Sequence, residues 1–101
     1  MLIHKERLSG STASGALELT TQKLFGHRLK YLQITPATST TTWDLTIVDL
    51  ENDDVVFEKI GQEGTMRYEM SLPLRGKYKF VFANTSADEV FKARMDLEEE
   101  P

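Results

Sequence analysis

Met66-Arg67-Tyr68-Glu69-Met70-Ser71-Leu72 and, beyond Pro73-Leu74-Arg75-Gly76, Lys77-Tyr78-Lys79-Phe80-Val81-Phe82-Ala83 decide the fold class. In the first run Met66, Tyr68, Met70 and Leu72 alternate with Arg67, Glu69 and Ser71. In the second, Tyr78, Phe80 and Phe82 alternate with Lys77, Lys79, Val81 and Ala83. Successive side chains of a strand point to opposite faces, so a period of two with one apolar set is a half-buried strand. Residues 73–76 read as the break between two strands, because proline cannot donate to a sheet ladder.

The same grammar extends in both directions. The turn-rich Asn84-Thr85-Ser86-Ala87-Asp88 leads into Phe91, Ala93, Met95 and Leu97, alternating with Lys92, Arg94 and Asp96. Upstream, Trp43, Leu45 and Ile47 alternate with Asp44 and Thr46, and the acidic turn Glu51-Asn52-Asp53-Asp54 joins them to Val55-Val56-Phe57-Glu58-Lys59-Ile60, a hairpin. Residues 29–34 and 16–20 read as strands, and residues 2–8 as a weaker one. No window of ten or more residues keeps the three-and-four apolar spacing of a helix. About eight short strands separated by turns predict an all-β domain: an antiparallel β-sandwich, jelly-roll-like. Its core should hold Trp43, Leu45, Ile47, Phe57, Tyr68, Met70, Tyr78, Phe80, Phe82, Phe91 and Met95.

Residues 1–9 read as an N-terminal arm or first strand. Residues 10–15, Gly-Ser-Thr-Ala-Ser-Gly, have the composition of a flexible linker, residues 16–97 form the sandwich, and residues 98–101 form an acidic tail. The stretch Pro36-Ala37-Thr38-Ser39-Thr40-Thr41-Thr42 has almost no apolar anchor and should be an exposed loop or edge.

The 101 residues suit one domain with one core, and 40% hydrophobic with 28% charged residues is ordinary for a globular chain. A formal net charge of −4 argues against DNA or RNA, whose affinity is dominated by phosphate attraction. No stretch approaches the roughly 20 apolar residues of a membrane helix, and the first seven residues are too polar for a signal-peptide core. The expected setting is therefore cytoplasmic, or a virion if the chain is phage-encoded. The absence of cysteine excludes disulfides, thiolate nucleophiles and thiolate metal sites.

Candidate chemistry is sparse. His4 and His27 sit at no metal-ligand spacing and read as surface histidines, and no serine lies in a Gly-x-Ser-x-Gly elbow. Asp49, Glu51 and Asp53 open like a calcium loop, but Asp54 stands where the sharp turn needs glycine and Ile60 where a bidentate glutamate is needed. A solvated acidic turn is the simpler reading. Trp43, Tyr31, Tyr68 and Tyr78 could form a sugar-stacking platform, but their alternation with polar residues assigns them to the core. The sequence thus implies no enzyme, no cofactor and no metal.

The run Arg75-Gly76-Lys77-Tyr78-Lys79-Phe80-Val81-Phe82-Ala83-Asn84-Thr85-Ser86 with the strand after it resembles the closing hairpin of GOLD-type and prepeptidase-C-terminal-type sandwiches, which implies a binding or adaptor module. In size, acidity, lack of cysteine, Thr/Ser-rich loops and a detached N-terminal segment the chain also resembles small bacteriophage structural proteins of the cement, decoration and tail-accessory type. That resemblance implies a structural subunit with protein partners, homo-oligomeric or part of a lattice. Its contacts would run through Leu2, Ile3 and Leu8 of the arm and Thr38 and Thr40 of the loop. The alternative is a small ligand-binding module for carbohydrate or calcium.

Overall fold

Strand pairing follows one rule in the computed structural model, which describes residues 3–22 and 24–99. Eight strands run in order: β1 (Ile3–Ser11), β2 (Leu17–Thr20), β3 (Leu24–Pro36), β4 (Thr42–Asp49), β5 (Asp54–Glu63), β6 (Met66–Gly76), β7 (Tyr78–Ala83) and β8 (Val90–Glu99). The ladders β1 with β8, β2 with β7, β3 with β6 and β4 with β5 are those of one long antiparallel hairpin folded at its middle. Rolling that hairpin adds the ladders of β8 with β3 and β7 with β4, giving two sheets ordered β1-β8-β3-β6 and β2-β7-β4-β5. This is a jelly roll, the sandwich that the alternation predicts.

The apolar sets of the two sheets meet between them. Leu29, Leu32, Ile34, Trp43, Leu45, Ile47, Phe80, Phe82, Phe91, Met95 and Leu97 are all fully buried. Trp43 packs edge-on against Phe82 and Phe91, with centroids 6.2 and 6.3 Å apart, and its indole N–H donates to the Gly64 carbonyl at 3.0 Å. A buried tryptophan thereby keeps its polar atom satisfied. Gly64 sits at φ 63°, and a Cβ there would strike the Ser39 carbonyl oxygen, so only glycine lets these two loops meet. Of the expected core, Phe57, Tyr68 and Met70 are only partly buried, because β5 and β6 are edge strands at the open side of the sandwich.

Three local readings are corrected. The residues 73–76 belong to β6 rather than to a break: β6 is an edge strand, where proline's missing N–H is harmless. The linker at 10–15 is not seen. Gly10 and Ser11 complete β1, and Ala13 and Ala16 bridge a tight turn whose Ser14 and Gly15 N–H groups donate to the Asp88 carboxylate at 3.1 and 2.9 Å. A Cβ at Gly10 would sit 3.0 Å from Leu19 Cδ2 and 3.1 Å from Leu17 Cδ1, so those two leucine side chains would have to shift to admit it. Of the two readings of the N-terminal segment, arm or first strand, the residues from Ile3 on take the second, paired with β8 of the same chain. Glu98 and Glu99 close β8, and the remaining two residues of the acidic tail lie outside the described residues.

Candidate protein-binding surfaces

Which edges are left open follows from sheet order. β2 is only four residues long, and β6 carries Pro73, two devices that discourage strand addition. β5 has neither. It is ten residues long, it has no neighbour on its outer side, and Val55 and Ile60 are 58% and 64% exposed, with Leu50 at 40% in the turn before it. Asp44 fixes its irregular far half by accepting the Gly61 N–H and the Asn84 amide, both at 2.8 Å. Those two bonds, Asn84's first, hold the Asp44 carboxyl below its usual range. Behind β5, Phe57 and Tyr68 pack edge-on at 5.4 Å under the Lys59 ammonium, and burial pushes the Tyr68 phenol up to about 12.

A second feature lies on the outer face of the β1-β8-β3-β6 sheet. Register sets Arg7 opposite Arg94, Arg94 opposite Gln33 and Gln33 opposite Arg67, with Lys92 in the next outward-facing position between Ser9 and Thr35. The groove there, about 370 Å³, adjoins a second of about 420 Å³ floored by Pro36, Ala37 and Val90, the two sharing Thr35 and Lys92. Arg94 stacks on Tyr31 at 5.4 Å, and its Nε lies 3.6 Å from an Asp96 oxygen. Among the described residues, Arg7 and Lys92 have no acidic partner within ion-pair distance.

The sequence-predicted contact residues do not converge. Leu2 lies outside the described residues. Ile3 opens β1 opposite Glu98, and Leu8 is partly buried against the core. Thr38 and Thr40 are exposed in the loop between β3 and β4, at the opposite end of the strands from Ile3. That loop is tied down: the Thr38 N–H and the Thr41 hydroxyl donate to the two oxygens of Glu89, at 2.6 and 3.0 Å. Burial opposes ionisation of Glu89, and these bonds outweigh it, holding the carboxyl below its usual range.

The aromatic platform does not form. Trp43 and Tyr78 are buried, Tyr68 is partly buried behind β5, and Tyr31, expected in the core, lies on the outer face under Arg94. His4 and His27 are brought together, rings 5.8 Å apart, with His4 hydrogen-bonded to Glu6 at 2.7 Å. Among the described residues no three His, Asp or Glu side chains are grouped so as to hold a metal ion. Asp49 instead accepts the Glu51 N–H and the Asn52 amide of its own turn.

These features define an eight-stranded antiparallel jelly roll whose unusual chemistry lies on its outside. No family model matches the chain, and no curated protein matches it in sequence. Solved structures are similar in fold. Aeromonas hydrophila PliG, a periplasmic lysozyme inhibitor of g-type lysozyme, superposes with a TM-score of 0.58 at 13% identity, over 94% of this chain and 87% of that one. A chain of the infectious bursal disease virus Gx strain aligns at a TM-score of 0.40 and 8% identity, over 97% of this chain and 32% of that one. At 13% identity the likeness to PliG is one of fold.

Proposed function

We propose that the chain is a non-catalytic structural subunit that binds protein partners and decorates or cements a larger assembly, a phage virion being the setting that fits its size and style. The observation that carries this reading is β5: a long edge strand without proline, with Val55 and Ile60 mostly exposed. Such an edge offers a row of free main-chain groups and two apolar side chains to an extended segment of a neighbouring shell or tail protein. An edge that leaves two large apolar side chains in solvent suits a chain that is normally covered.

The test is incorporation. Particles purified from the phage that encodes the chain should contain it at a fixed copy number, and should lose it when it carries Ile60→Lys. That side chain is exposed, so the variant keeps its melting temperature while the charge opposes strand addition. Particles lacking the wild-type chain, or holding the variant as firmly, would overturn the reading.

A further inference from the structure

The fold sets like charges opposite each other twice, with opposite signs. On the outer face Arg7 faces Arg94 across the β1·β8 ladder; in the acidic turn Asp49 faces Asp54 across the β4·β5 ladder. Directly opposed like charges destabilise a sheet. Asp49 is partly occupied by its own turn, whereas Asp53 and Asp54 are exposed and, among the described residues, have no cation within ion-pair distance. Arg94 is likewise partly occupied, by Asp96 and the Tyr31 ring, whereas among the described residues Arg7 and Lys92 are not, and what remains unpaired in each cluster costs stability. Each would be relieved by the other.

They cannot meet within one molecule. The acidic turn closes the end of the strands where Leu50 bonds to Lys77, whereas Lys92 and Thr35 lie toward the other end, beside Pro36 and Phe91. The apolar parts match as well: Leu50, 40% exposed, stands within the acidic turn, and Val90, 41% exposed, lines the groove adjoining Lys92.

We infer that the outer-face groove of Arg7, Lys92 and Arg94 receives the acidic β4–β5 turn of a second copy of this chain, with Leu50 seated toward Val90. The contact joins two different surfaces, so it is heterologous: repeated, it closes a ring or propagates a row. Its purpose rests on the assembly reading above; its test does not.

The experiment is sedimentation velocity of the purified full chain at about 0.02 M and about 0.5 M NaCl, where screening differs several-fold. Wild type should self-associate with rising concentration in low salt and dissociate in high salt. Arg7→Glu with Lys92→Glu, and separately Glu51→Lys with Asp54→Lys, should each weaken association about tenfold or more, the sum of several exposed pairs. Mixed together, the two variants should associate again, because each then offers the other a complementary surface. Both should melt no lower than wild type, since each removes a like-charge pair. A wild type that stays monomeric in low salt, a variant of either surface that associates normally, or a mixture that fails to recover would overturn the contact. Absence from particles, by contrast, would overturn the assembly reading and leave this contact standing.

Discussion

β7 and β5 both carry large apolar side chains, with opposite fates. In β7, Tyr78, Phe80 and Phe82 are at most 4% exposed; in β5, Val55 and Ile60 are more than half exposed and Phe57 is only partly buried. The difference is position. β7 has β2 on one side and β4 on the other, whereas β5 has only β4, and that ladder slips twice, between Trp43 and Leu45 and between Ile47 and Val48. Each slip changes which side chains face the core, so apolar content stops being a guide to burial. Apolar residues in this fold therefore do two jobs, one inside and one at the boundary.

The sharpest way to break that comparison is to truncate one large side chain in each strand. Phe80→Ala should cost about 3 to 5 kcal/mol, because the site is walled by both sheets and cannot collapse around the void. Ile60→Ala should change stability by less than about 0.5 kcal/mol, as exposed substitutions do. Denaturant unfolding with an unchanged slope measures both. Similar costs at the two positions would mean that β5 is buried in the free chain, and the boundary role would fall.

How legible this was in sequence follows the same division. β4, β6, β7 and β8 alternate cleanly, and their faces read directly from the residues. The stretch 10–15 misled because the acceptor that orders it, Asp88, lies over 70 residues away, and local composition cannot show a distant partner. Pro73 misled because edge position is a property of the sheet, not of the strand. Arg7, Lys92 and Arg94 were legible only as polar positions. Their juxtaposition needs the β1·β8 register, which joins the two ends of the chain. The Asp49 and Asp54 pairing, by contrast, was within reach, since a short acidic hairpin turn must set its flanking residues opposite each other.

Tyr68 gives a smaller test of the same boundary. Its hydroxyl donates to Gln62 at 2.8 Å, and its ring lies between Phe57 and Lys59. Tyr68→Phe should cost about 1 kcal/mol for the lost hydrogen bond. The phenol is raised from 10.0 to about 12 by burial, so the unfolded chain releases that proton first. Its contribution is therefore full below pH 10 and lost as pH rises toward about 12. Alkaline unfolding monitored by tyrosinate absorbance should show a late-ionising component that is lost in the Phe variant. If all ionise together while the protein is folded, the β5–β6 mouth is wetter than its packing indicates.

The smallest effect belongs at the β3–β4 loop, where loops rather than strands are held. Glu89 bonds the Thr38 N–H and the Thr41 hydroxyl only as an acceptor, so the ionised form fits the loop better than the protonated one. Its folded carboxyl is held below the usual range, so its contribution is present above the ordinary glutamate pKa and fades as pH falls through the lowered folded value. Glu89→Gln keeps an oxygen acceptor but loses the charge, and it should lower the melting temperature slightly at neutral pH and not at all in strong acid. The amides of the Thr38 loop should exchange faster in the variant while those of β7 do not. Equal acceleration in both would mean that this loop and the central strands open as one unit, removing the distinction between a rigid interior and a separately tied rim.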